Sequence, residues 1–317
     1  MKSRSTILTH RRIPFAAEYY DRLKYETDQL GGYRLVPNQQ LPHITINERG
    51  FRGPVFTGQE RYLLLGDSVT FGIGAESDNM VFSRFLERAA GAPVADASLR
   101  AYRVSQHLSQ LPGLIQLVPR IQGVVLWAGF ADLLYWVTSG GKTRGAFQFN
   151  LKYAARPAWE NELRSWLSPN RFKKILGFGK NASAVEPLEK LVEVVSDAVL
   201  SIEKFCVERN IRFLFLVQPF VRRSAPKDAE LDEILQECDR KTKEKCGVSW
   251  YAASEDFVKG LQDRLKGRTR DGLIDCQSFV DDADFLDQVH LRASALEKIA
   301  GRITATEAWK KFNVKHS

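Results

Sequence analysis

Leu63-Leu64-Leu65-Gly66-Asp67-Ser68-Val69-Thr70-Phe71-Gly72 is the stretch that decides how the chain folds. Its leucines form an apolar run too short for a helix, which reads as the end of a buried strand. A Gly-Asp-Ser corner follows, then a glycine-containing loop. The next helix is expected to start near Ser77 or Asp78, both good N-cap types. A serine at the carboxyl end of a parallel strand stands where a ligand can reach it. Its own N–H, near the following turn, can donate to an oxyanion. A polar turn that merely closes a strand accounts for the same residues, because short motifs recur by chance.

Other apolar runs have the same character: Val94–Ala97, Gly123–Trp127, Arg212–Val217 and Leu273–Asp275, beside Tyr62–Leu65 itself. Helical patterns separate them. The clearest runs from Pro187 to Glu208, where Leu188, Leu191, Val192, Val195, Val199, Ile202 and Phe205 recur at three- and four-residue steps. That spacing makes one apolar stripe, suited to lie on a sheet, and Pro187 sits where a missing N–H does no harm. Strands alternating with helices predict an α/β fold, a parallel sheet of about five strands covered on both faces in three α/β/α layers. Ligands of such sheets bind at the carboxyl ends of the strands.

The 317 residues suffice for one large domain, and 44% apolar with 26% charged residues is ordinary for a globular protein. The expected organisation is a wrapping segment over 1–57, a main domain over 58–310 and a tail over 311–317. The net charge of +8 permits anionic partners without choosing among them. Nucleic acid is not expected, since there is no zinc-finger spacing, RNA-binding aromatic consensus or base-reading basic helix. Cys206, Cys238, Cys246 and Cys276 match no paired-thiol metal or redox motif and are expected to be reduced. The start, MKSRSTILTHRRIPF, lacks an apolar signal-peptide core, and no run has membrane-spanning length. A cytoplasmic protein is expected.

Residues 140–180 break the strand–helix rhythm. They carry nine basic and two acidic residues, a net +7, interleaved with Phe147, Phe149, Tyr153, Trp159, Trp166, Phe172 and Phe178. An insertion of this length between core elements suits a cap or lid. Three roles stay open for it: a solvated cap, a cover that binds an anionic substrate, or a membrane-surface contact.

Asp287-Gln288-Val289-His290, ahead of a helical pattern over Leu291–Ile303, is the second chemical signal. A serine hydroxyl needs a base to take its proton, and histidine titrates in the right range. A carboxylate then fixes the tautomer and stabilises the imidazolium. Three residues apart around a loop, both side chains can face one centre. A helix-start aspartate and a surface histidine would look the same. His10, His43, His107 and His316 have no carboxylate so placed.

With these two blocks the chain resembles the SGNH/GDSL hydrolase superfamily of bacterial esterases, lipases, carbohydrate deacetylases and acyl-transfer relatives. Gly66-Asp67-Ser68 with Thr70-Phe71-Gly72 resembles its first block, and Asp287-x-x-His290 its last. Tyr33-Arg34-Leu35-Val36-Pro37-Asn38 and Asn47-Glu48-Arg49-Gly50-Phe51-Arg52-Gly53 resemble a lead-in of one bacterial subgroup. The resemblance implies flavodoxin-like strand order and a Ser68–His290–Asp287 triad that needs no metal or organic cofactor. It also implies an oxyanion hole built from the N–H groups of Ser68 and Ala101. Ala101 stands where the family has glycine, and Ala131 where it has an asparagine donor. A lost oxyanion donor typically costs about 10²–10³ in rate. Ser98, Arg100 or Arg103 are candidates to replace it, and Asp67, Ser98, Arg100 and Asp132 are candidate substrate contacts.

The expected activity is hydrolysis of small acyl esters, acetyl esters of a carbohydrate above all. Two alternatives stand beside it. One is a binding protein with a decayed site, the other an acyltransferase using the same acyl-enzyme.

Overall fold

Every side chain of Leu63, Leu64 and Leu65 is fully buried, because strands lie on both sides of this one and helices on both faces. A computed structural model describes residues 9–118, 120–143, 185–222, 228–270 and 272–313. Two small antiparallel hairpins come first: β1 (Tyr25–Asp28) with β2 (Gly32–Leu35), and β3 (Gln39–Gln40) with β4 (Thr45–Ile46). The main sheet contains β5 (Tyr62–Gly66), β6 (Val94–Asp96), β7 (Gly123–Trp127), β8 (Arg212–Val217) and β9 (Leu273–Asp275). Its order is β6-β5-β7-β8-β9 and every pairing is parallel. The predicted runs are therefore the five strands, and the order steps out to both sides of β5 in the flavodoxin-like way. The helices that cover them make this a three-layer α/β/α fold.

Alternation along each strand divides the core. Leu63, Leu65, Val124, Leu126, Phe213 and Phe215 point to one face. Tyr62, Leu64, Val125, Trp127, Leu214 and Leu216 point to the other. Helices α3 (Val104–Leu117), α4 (Phe130–Thr138), α5 (Leu188–Val207) and α7 (Trp250–Leu265) pack on the first face. Helices α2 (Phe82–Ala90), α8 (Ala293–Ala305) and α9 (Glu307–Asn313) pack on the second, with Leu231 and Leu235 of α6 (Ala229–Cys246). α5 starts after Pro187 and buries Leu191, Val192, Val195, Val199 and Ile202, with Leu188 and Phe205 half-buried at the margin. Burying one such side chain contributes roughly 1.5–3 kcal/mol, which exceeds the helix propensity differences along it.

A third apolar cluster lies over the carboxyl end of the sheet. Ile13, Tyr19, Leu23, Tyr33, Leu35, Ile44 and Ile46 pack there with Phe71, Ile73, Leu99, Tyr102 and Leu286 from the loops after the strands. Arg12 ties the same segment to the loop before α8, through the carbonyls of Leu286 (2.6 Å) and Phe285 (3.2 Å), and separately to Asp228 by an ion pair. All four cysteines are free thiols. Among the described residues no helix is long and apolar enough to cross a membrane.

Candidate active site

The expected helix start near Ser77 is displaced. Asp78–Met80 is a single 3₁₀ turn, α2 begins at Phe82, and an earlier helix, α1 (Ser68–Phe71), begins at the serine itself. The glycine-containing loop expected after Ser68 is thus a helical turn. Asp67 is the reason: its side chain accepts from Val69 N–H at 3.0 Å and caps the turn. Gly72, at φ 84°, ends it in the left-handed conformation. Gly66 permits the tight corner, because a Cβ there would meet Thr70 Oγ1 at 2.0 Å. Arg52 then holds the turn's far end, donating to the carbonyls of Phe71 at 2.9 Å and Gly72 at 3.0 Å while paired with Asp78 at 2.7 Å.

His290 meets Ser68 from the other side. Its Nε2 lies 2.8 Å from Ser68 Oγ, and its Nδ1 lies 2.7 Å from Asp287 Oδ2. Asp287 Oδ1 also accepts the backbone N–H groups of Val289 at 2.9 Å and His290 at 2.8 Å. This turn, not a helix, sets both side chains, and a bridge between Phe285 and Leu291 closes its base. The three residues lie in hydrogen-bond sequence, with Asp287 only 1% exposed. Burial raises the Asp287 pKa, but the His290 charge and hydrogen bonds outweigh it, so the carboxyl is held below its ordinary value. Burial lowers the His290 pKa, but Asp287 and then Asp67 outweigh it, so the imidazole is raised above its ordinary value. His107 differs: buried, it is pushed down to about 3 and stays neutral.

Asp67 sits beneath the serine. Burial pushes its carboxyl up to about 6, against the N–H groups of Val69 and Ala131 and the nearby His290 charge. Ala101 is at φ 59°, the left-handed region in which a Cβ is strained by roughly 1–2 kcal/mol. It keeps the turn that a glycine would make freely.

A cavity of about 220 Å³ opens over Ser68 and His290, lined also by Tyr20, Ile73, Arg100, Ala101, Arg103, Ala131, Leu134, Tyr135 and Thr138. Of the candidate substrate contacts, only Arg100 lines it. Asp67, Ser98 and Asp132 are buried behind the wall. Asp67 caps α1, Ser98 N–H turns back to Asp96 at 2.9 Å, and Asp132 pairs with Arg103 at 2.7 Å. Those expectations are corrected accordingly. Tyr20, Ile73, Leu134, Tyr135 and Thr138 went unnoticed in the sequence, since nothing in their spacing distinguishes a cavity wall from core. Of the basic stretch 140–180, only 140–143 are described. The lid, anionic-substrate and membrane-contact expectations therefore fall outside the described residues. Among the described residues no cluster of His, Cys, Asp or Glu could hold a metal.

The chain is similar to solved structures of GDSL-type proteins. A protein described as a GDSL-like lipase from Parabacteroides merdae is 14% identical, with 81% of this chain and 100% of that one covered and a TM-score of 0.46. A GDSL-like lipase from Bacteroides thetaiotaomicron is 10% identical, covering 81% and 91%, with a TM-score of 0.42. A carbohydrate esterase family 2 enzyme with a carbohydrate-binding domain, from Corynascus thermopiles, is 14% identical, covering 81% and 69%, with a TM-score of 0.39. No protein-family model and no curated protein matches the chain. The parallel sheet and the distances at Ser68 stand independently of these likenesses.

Proposed function

We propose that the protein is a serine ester hydrolase of the SGNH/GDSL type, acting on small acyl esters and in particular on acetyl esters of a carbohydrate. The observation that carries this is the unbroken chain from Asp287 through His290 to Ser68, at 2.7 and 2.8 Å, opening on a cavity. Ser68 Oγ attacks the acyl carbon while His290 Nε2 takes its proton; Asp287 holds the imidazole in the required tautomer and stabilises its charged form. The carbonyl electron pair moves to oxygen, facing the N–H groups of Ser68 and Ala101. When the tetrahedral species collapses, the C–O bond to the alcohol breaks and His290 returns the proton to that oxygen. Water then repeats the cycle on the acyl-enzyme. The apolar side chains of Ile73 and Leu134 suit a short acyl group. The carbohydrate part rests on the family resemblance.

The experiment is labelling with a fluorophosphonate, followed by hydrolysis of p-nitrophenyl acetate, butyrate and octanoate. Labelling is expected in the wild type and absent in Ser68→Ala and His290→Ala, with turnover lowered about 10⁴-fold or more and acetate the preferred ester. A folded wild type that neither labels nor turns over any ester would overturn the proposal in favour of a decayed, binding-only site.

A further inference from the structure

Resting on that hydrolase proposal, we infer that Arg103 is a catalytic residue, supplying a charged donor to the oxyanion formed on Ser68. The need for one is visible in the cavity. At Ala131 the wall presents a methyl group, which offers no side-chain donor. That leaves two backbone N–H groups for a full negative charge, one of them on the strained Ala101.

Two cations line the same cavity, Arg100 and Arg103. Arg100 faces the N-terminal segment. Its Nη1 donates to the Tyr19 carbonyl at 2.6 Å, and its head lies over the rings of Tyr20 (4.9 Å) and Tyr25 (5.8 Å). Arg103 is 3% exposed and held from three directions. Its Nε donates to Asp132 at 2.7 Å, its Nη2 to the Thr143 carbonyl at 3.2 Å, and its guanidinium lies 4.6 Å from the centre of the Tyr135 ring. Asp132 is fixed in turn by Val104 N–H at 3.1 Å. Among the described residues Nη1 of Arg103 donates to nothing, although the residue is buried and lines the cavity. A buried cation with a spare N–H costs desolvation unless something negative completes it. The oxyanion is that group, and it exists only during reaction. A donor so fixed stabilises the transition state selectively and needs no reorganisation when the charge forms.

The balance of the step is unchanged. The new C–O bond forms from Ser68 Oγ, its proton goes to His290, and the carbonyl π pair becomes the oxyanion that Arg103 faces. The test compares wild type, Ser68→Ala, Arg103→Lys and the double variant Arg103→Met/Asp132→Leu, which removes both buried charges should the single variant unfold. Two readouts are needed: kcat and KM for p-nitrophenyl acetate, and inhibition by an alkyl trifluoromethyl ketone, whose Ser68 adduct carries the oxyanion. Expected is a kcat loss of roughly 10²–10³, KM within about threefold, and a matching loss of trifluoromethyl ketone affinity. A kcat within about fivefold of wild type, or a kcat loss with ketone affinity retained, overturns the role of Arg103 and leaves the hydrolase proposal standing. A wild type no more active than Ser68→Ala overturns both.

Discussion

Arg52 and Arg103 are built alike and placed for different ends. Each is 3% exposed, pairs with one aspartate at 2.7 Å and lies against an aromatic ring. Arg52 directs its remaining donors inward, to the carbonyls of His43, Phe71 and Gly72 and to the Tyr19 hydroxyl. It fastens the N-terminal segment to the turn that begins with Ser68, and every polar end is met within the protein. Arg103 lines the cavity, and among the described residues its Nη1 has no acceptor. The difference teaches that a buried ion pair has no single meaning: what its unused hydrogen-bonding capacity faces decides whether it is a clamp or a reagent.

The largest expected effect that sharpens this contrast is at the clamp. Arg52→Met leaves Asp78 without its cation and removes a donor from the carbonyls of His43, Phe71 and Gly72, and should cost about 3 kcal/mol of stability, Asp78 being part-exposed. Urea unfolding measures it. The folded fraction should keep its ester turnover within about tenfold, and a far larger loss of turnover at unchanged stability would break the distinction between the two arginines.

Next in size is a pH effect at Asp67, beside the serine. Asp67 titrates at about 6 in the folded protein and near its ordinary value when unfolded. A raised carboxyl binds more protons folded than unfolded, so its contribution to stability falls as pH rises from about 4 to about 6. The full difference is up to about 3 kcal/mol. Asp67→Asn should flatten this part of the stability–pH curve measured by urea unfolding. His290 and Asp287 will still contribute: the first loses its share as pH rises through its raised pKa, the second as pH falls through its lowered one. A slope unchanged in Asp67→Asn would show that the carboxyl under the serine is already ionised.

The smallest effect separates the two surroundings by strain. Ala101, on the Arg103 side, carries a left-handed backbone, so Ala101→Gly should stabilise the protein by about 1 kcal/mol. Thermal unfolding detects it. A loss of stability instead would mean that the methyl group's packing outweighs the strain.

The sequence by itself determined a good deal here. The five apolar runs became the five strands, because a β-rich run of that length has no other way to bury both faces. The α5 stripe was legible for the same reason, its period being that of a helix lying on a sheet. Asp287 and His290 were legible as a pair because three residues around one turn settle their meeting locally. What only the tertiary structure decided involves residues distant in the chain. Ser68 and His290 lie 222 positions apart and meet only because β5 lies inside the sheet, between β6 and β7, and the turn before α8 returns over its end. Asp67, Ser98 and Asp132 were candidate substrate contacts, and folding buried all three; for the two aspartates the reason is that a helix cap and a buried cation satisfy a carboxylate better than a half-dry cavity wall does. Arg52 and Arg103 each follow another arginine by three residues, Arg49 and Arg100, and no local pattern says which has a donor to spare. Hydrogen-bond satisfaction is a property of the assembled surroundings, so it can be read only once every neighbour is in place.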